Sequence, residues 1–312
     1  LTRRVGESVI IGNNVTFTEN GLPTGTSWNV TLSGLTKSST TNSILFSGVS
    51  PGSYSWTVST PISQCIGTRY VASPSSGSIT VSGETSQSIT FQKQYYLATS
   101  SIFGDVAPDS GWFNAGQKVT LSATSPATIS GERYQWLGWL GIGSGSYTGT
   151  GNLASSIVTM NGPIWEIAAW NHQYQLTVKT NGVPSSYSAD VSLGDHVAGQ
   201  ASDASPFTSW ITAGFPTGKI GVSDHVSGGG NTQYAFSSWT GGSASNPQAS
   251  FAMKAPTTLT ANYKTQYKVT FSQSGVGSTF KGTVVKIDGV NYALSILPVS
   301  FWWDKSSDHS FQ

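Results

Sequence analysis

Charge is what this chain has least of. Asp, Glu, Lys and Arg make up only 9% of its 312 residues, where a typical soluble domain carries about 25%. The 15 basic and 14 acidic side chains form no blocks and leave a formal net charge of +1. Nothing polybasic is therefore on offer to nucleic acid or to an anionic membrane surface. Cysteine is nearly absent too: Cys65 alone allows no intramolecular disulfide and no Cys-based metal site. No apolar run reaches the roughly 18 residues that a membrane-spanning helix needs. The 36 glycines follow no three-residue period, which excludes a collagen triple helix. No segment sustains a 3.6-residue apolar period with a cap and a stop, so helices are not expected. What is present is core material: 37% hydrophobic residues, with 11 Trp, 12 Tyr and 13 Phe. Disorder by composition is excluded.

The apolar residues alternate with a period of two. Val15 to Thr18, Ser27 to Leu32, Ser53 to Val58, Ser78 to Val81, Gln175 to Lys179 and Tyr267 to Phe271 are short β-branched and aromatic runs. Turn residues punctuate them at Asn20-Gly21, Pro51-Gly52, Asn181-Gly182 and Asp288-Gly289. The expected fold class is all-β, built from tandem Ig-like or β-sandwich modules.

Internal repetition sets the domain count. Gln94-Tyr95, Gln173-Tyr174 and Gln266-Tyr267 open three versions of one strand. Met160 and Pro163 precede Ala168, Trp170 and Gln173 at the offsets by which Met253 and Pro256 precede Ala261, Tyr263 and Gln266. Upstream of each lies an aromatic box, Tyr134, Trp136, Trp139 and Gly141 in one, Tyr234, Phe236, Trp239 and Gly241 in the other. The expected division is a segment 1–14, module 1 at 15–93, module 2 at 94–172, module 3 at 173–265, and a short module 4 at 266–312. About 47 residues are few for a Greek-key sandwich, which takes roughly 100. Module 4 is expected to be truncated or completed by something else.

The run from Phe17 through Gly21, Pro23 and Trp28 to Leu32, with Ser73 to Val81, resembles a module recurrent in large secreted proteins of thermophilic and acidophilic archaea. It is similar to the non-catalytic β-rich regions of thermopsin-type proteases and to surface proteins of the same organisms. The aromatic boxes, followed by Met-x-x-Pro and the Gln-Tyr strand, are similar to bacterial and archaeal surface-repeat modules. The closing run Leu297 to Asp304 with His309 and Phe311 resembles the same surface proteins, with Ig-like repeats as in S-layer-associated or filament proteins. The resemblance implies an extracellular archaeal protein of Ig-like modules, and implies no proteolysis.

Catalytic constellations are not evident. Asp109-Ser110-Gly111 has the letters of an acid-protease motif, but Pro108 and the turn tripeptide replace the apolar strand that chemistry needs, and no second copy supplies the paired carboxylate. Asp195-His196, Asp224-His225 and Asp308-His309 are adjacent pairs, whose members point to opposite faces of a strand and do not serve each other. His196 and His225 would need a carboxylate to hold Zn²⁺, and exposed loop histidines are the simpler reading. His172 falls at a module joint and reads as a linker residue. No metal or other cofactor is expected. The aromatic boxes read as core layers rather than sugar-stacking platforms, because Tyr134 and Trp136 share a strand face, as do Tyr234 and Phe236.

Trp302-Trp303 is different: adjacent residues face opposite ways, so one should emerge as a contact with a partner. Asn14 and Asn29 each begin an Asn-Val-Thr triplet and are candidate N-glycosylation sites. Leu1 in place of Met suggests a processed or excised chain. The segment with Val5, Val9, Ile10 and Ile11 reads as a spare β-strand, which would be donated to module 4 of a neighbouring subunit in a head-to-tail polymer. The expected function is that of a structural subunit of an archaeal cell-surface filament or S-layer-associated assembly, partnered by itself or other surface proteins and by glycans. The alternative is an adhesion or carbohydrate-binding region of a larger secreted protein.

Overall fold

The computed structural model describes residues 12–151 and 156–312. The spare strand containing Val5, Val9, Ile10 and Ile11 lies outside them. The described residues are almost wholly β, the one helical element being a 3₁₀ turn at Leu294–Ile296. Strands β1 (Asn13–Asn20), β2 (Trp28–Leu32), β3 (Leu35–Ser39), β4 (Ser43–Val49), β5 (Gly52–Val58), β6 (Ile62–Cys65), β7 (Thr68–Ser73) and β8 (Ser76–Val81) lead into the long β9 (Thr85–Ser101). There follow β10 (Asp105–Ala107), β11 (Gly111–Asn114), β12 (Lys118–Thr124), β13 (Glu132–Ile142), β14 (Ser156–Thr159) and the long β15 (Ile164–Asn181). Next come β16 (Ala189–Leu193), β17 (His196–Ala201), β18 (Phe207–Thr212), β19 (Ile220–Val222), β20 (His225–Ser227), β21 (Thr232–Thr240) and the long β22 (Thr257–Phe271). The chain ends with β23 (Thr283–Ile287), β24 (Val290–Ala293) and β25 (Val299–Asp304).

Two compact units emerge, one of Leu1–Pro126 with Trp136–Trp170, the other of Ala127–Gln135 with Asn171–Gln312. Unit 1 holds two buried clusters. In the first, the alternation of β1 and β2 sends Val15, Phe17, Trp28 and Val30 inward. Phe17 meets Phe46 and Trp56 edge-on at 5.8 and 5.5 Å, a geometry suited to the ring quadrupoles. The second cluster gathers Leu97, Leu121, Trp139, Met160 and Ile164. Unit 2 holds the third, with Leu176, Val178, Met253 and Leu259 fully buried. Full burial of such a side chain stabilises by about 1.5–3 kcal/mol, and both methionines fill the same step of the repeat.

Within unit 1 a long strand carries one module into the next without a linker: the head of β9 closes the first cluster with Ile89 and Phe91, and its tail opens the second with Leu97. Every opening strand pairs in parallel with the strand that closes its module: β1 with β9, β9 with β15, and β15 with β22. Module 4 departs from this plan. The tail of β22 pairs antiparallel with β25 from Gln266 to Phe271, β23 and β24 form a hairpin, and Ser310 to Gln312 bond to Lys286 and Asp288. Within unit 2 the tail of β22 past Tyr267 has no parallel neighbour, and Ile287 is the one buried side chain of residues 266–312.

Candidate functional site

Module 4 places its aromatic side chains together without burying them. Alternation on β25 turns Phe301 and Trp303 to one face and Trp302 to the other, where Trp302 is 38% exposed. Phe271 on β22 sits 6.2 Å from Phe301, 5.7 Å from Trp303 and 5.5 Å from Phe311. Phe311 itself is 68% exposed. The cluster is thus an aromatic layer with one side open.

A polar clasp closes the other end. The imidazole of His309 stacks flat on Trp303 at 3.8 Å. Its Nδ1 lies 2.7 Å from Asp288 Oδ2, and its Nε2 lies 2.7 Å from Ser307 Oγ. Asp288 Oδ1 accepts the Ser310 N–H at 2.8 Å. The hydrogen bonds from His309 and from Ser310 hold the Asp288 carboxyl below its ordinary range. This is the connectivity of a Ser-His-Asp triad, but the proton of the serine is directed elsewhere. The Ser307 hydroxyl donates to the Asp304 carbonyl at 2.7 Å, away from Nε2. The ring is thereby held between a carboxylate and an indole face. The arrangement fastens the turn after β25 to the β23–β24 hairpin. Asp304 is held in turn by Gln266 Nε2 at 2.8 Å and Lys264 Nζ at 3.1 Å, which lower its carboxyl in that order. Lys264 is well exposed, and this pair is a surface ion pair.

The other residues singled out in the sequence are dispersed. Asn14 and Asn29 are partly exposed within β1 and β2, the first bonded to Glu84 and the second accepting from Ser59. Asp109 is exposed between bends at Pro108 and Ser110. His196 and His225 are exposed on β17 and β20, and among the described residues no group of three potential ligands could hold a metal. No helix of the described residues is long and apolar enough to cross a membrane.

His172 corrects the linker reading. Its Nε2 lies 2.7 Å from Glu132 Oε1, and its ring stacks on Tyr134 at 4.4 Å and meets Tyr174 at 4.7 Å. The Ile129 N–H and then His172 lower the Glu132 carboxyl. Tyr134 therefore serves this bracket in unit 2, while Trp139 fills a core in unit 1.

Two features escaped sequence reasoning. Asp288 and His309 are 21 residues apart and meet only because the terminal strand returns to β23. In unit 1 an apolar groove of about 530 Å³ is lined by Ile66, Tyr96, Trp112, Ile142, Pro163 and Trp165. None of these six belongs to the aromatic boxes, and the signal available was only the exposed size of Trp165, 60% solvent-accessible on the outer face of β15. Arg69 stacks on Trp112 at 4.4 Å.

No protein-family model matches the chain, and no curated protein matches it. Among solved structures it is similar to the Bacillus anthracis TIE protein at 12% identity and a TM-score of 0.23, covering 80% of this chain and 49% of that one. The chain thus spans about half the length of that neighbour, and a likeness at this level carries no functional argument.

Proposed function

We propose that this protein is a structural subunit of an archaeal cell-surface assembly, extracellular and self-associating, of the filament or S-layer-associated kind. The observation that supports the reading best is the open aromatic layer of module 4. Phe271, Phe301, Trp303 and Phe311 gather with no buried cluster beneath them, whereas the three modules before it each close around one. An exposed apolar layer beside an unpaired strand edge is costly in water and invites another chain. Low charge and Ser/Thr/Gly richness suit a protein exposed outside the cell, and Asn14 and Asn29 stand on accessible strand faces where glycans would fit. Trp302, outward on β25, is a second contact for a partner.

The test is negative-stain imaging of the purified chain together with mass photometry on the same sample. Fibres or a ladder of oligomers are the expected result. A chain that stays monomeric at micromolar concentration refutes self-association. One observation favours a second reading, adhesion or carbohydrate binding: the groove of Ile66, Tyr96, Trp112 and Trp165 presents aromatic faces to solvent. A glycan screen that detects binding by a strict monomer, lost in Trp165→Ala, would select it.

A further inference from the structure

The repeat arithmetic of the long strands predicts what completes module 4. In module 3, Thr257 pairs with Leu176; in module 2, Ile164 pairs with Leu97. In each case the closing residue lies nine before the Gln of its own long strand, and the opening residue lies three after the previous Gln. Module 1 follows the rule if Gly12 takes the place of the Gln, because Thr85, nine before Gln94, pairs with Val15, three after Gly12. The tail of β1 is thus the tail of a long strand. In sequence, the residues before Gly12 occupy the positions that the other long strands give to their closing heads.

Module 4 is short of just such a head. Strands β9 and β15 run to Ser101 and Asn181, seven and eight residues past their Gln, but β22 stops at Phe271, five past Gln266. The missing length is where the parallel partner would bond. A glycine marks the same vacancy. Gly21 and Gly182 have φ of +107° and +89°, and a Cβ on either would lie 2.3 or 2.2 Å from the carbonyl oxygen of Phe91 or Tyr263, each three residues before a Gln. Gly275 occupies the same step of module 4 with φ +91°, and nothing lies within 4 Å of its Cβ position. Module 2 carries Phe103 at this step, so the glycine is a feature of modules 1, 3 and 4, and among the described residues no carbonyl takes that place in module 4.

We propose that residues 3–9 of a second copy add to module 4 as a strand parallel to the tail of β22, with Arg3 beside Val269 and the Val9 carbonyl over Gly275. This deepens the assembly reading above and rests on it. The register sets Val5 beside Phe271, the step at which Leu259 sits beside Val178 in module 3. It sets Glu7 beside Gln273 and turns Arg4 and Thr270 outward together. Because donor and acceptor lie at opposite ends of the sequence, the contact is heterologous and propagates.

Disulfide trapping tests the register. In a Cys65→Ser background, Arg4→Cys with Thr270→Cys places two Cα atoms in adjacent strands about 4.8 Å apart, within bonding range. Gly6→Cys with Thr270→Cys is a diagonal pair at about 8 Å, outside that range. Mild oxidation followed by non-reducing electrophoresis should give a covalent ladder for the first pair, with at least a tenfold excess over the second. A ladder for the diagonal pair alone overturns the register. Oligomers seen by mass photometry with neither pair cross-linking overturn strand addition while leaving assembly standing. A cross-linked monomer means that the strand comes from the same chain and overturns the second copy. An uncross-linked monomer sinks both readings. Gly275→Val, whose side chain would fill the space kept for the carbonyl, should weaken assembly at least tenfold, and an unchanged assembly would remove the glycine argument.

Discussion

At one step of the repeat, module 2 carries Glu166 and module 3 carries Leu259, and both are fully buried. Each lies seven residues before its Gln, on the inward face of a closing strand. Leu259 joins Val178 and Met253 in an apolar cluster. Among the described residues, no ion pair involves Glu166. Its Oε1 accepts the Tyr147 N–H at 2.7 Å, and its Oε2 has no partner. Burial pushes its carboxyl up, only partly offset by that amide. The reason for the exchange lies in the loop after the aromatic box. Trp139 and Met160 are 21 residues apart, Trp239 and Met253 only 14. The longer loop passes so close that a Cβ at Gly141 would meet Glu166 Oε1 at 2.7 Å and the Tyr147 carbonyl oxygen at 2.3 Å. It brings a backbone N–H into the core, and a buried donor needs an acceptor. Module 3 braces its shorter loop with a neutral amide instead: Gln248 accepts the Ser243 N–H at 2.7 Å and donates to the Ser243 carbonyl at 2.6 Å. The lesson is that one sequence template tolerates a buried acid where local backbone demands it.

The comparison breaks most visibly if the acid is moved. Leu259→Glu finds no loop amide and no cation in module 3, and should destabilise unit 2 by about 3–5 kcal/mol, the cost of an uncompensated buried charge; a denaturation midpoint within error of the parent at pH 7 would refute the role assigned to the loop. A smaller effect separates charge from shape. The raised carboxyl of Glu166 binds a proton more tightly folded than unfolded. Its stabilising contribution is therefore complete below about pH 4.5 and falls as pH rises from there through the folded value. Glu166→Gln keeps the acceptor without the charge. Unit 1 of that variant should match the parent at pH 3, exceed it at pH 7, and lose the decline between them; a melting series across that range decides the matter. The smallest effect has the opposite sign. Asp288 is held low by His309, so its contribution is present above about pH 3.8 and is lost as pH falls below that. Asp288→Asn should remove a shallow acid limb from the melting curve of unit 2 and leave unit 1 unchanged, as read by hydrogen exchange of the amides of residues 304–312.

Alternation made the strands legible, and the Met, Pro and Gln offsets made the repeat legible, because both depend on which face a side chain takes along one strand. Parity was not legible everywhere. In Ile164 to Ala168 the large apolar Trp165 and Ile167 face solvent and Glu166 faces the core. The parallel pairing of Ile164 with Leu97 fixes that parity, since a shift by one residue would turn every side chain over. His172, a bare residue at a joint in the sequence, proves to be bonded to Glu132 through β13.

The sequence by itself determined that this protein is all-β and built of repeated modules, because a period of two and turn residues at fixed steps are local properties. Only the tertiary structure decided that modules 1 to 3 each close with a parallel strand, that Asp288 and Ser307 flank His309, that Glu166 is buried, and that Gly275 faces open space. Those are contacts between residues far apart in the chain, selected by backbone hydrogen-bond register and by the need to satisfy buried polar groups, and neither is written in the pattern of any single strand.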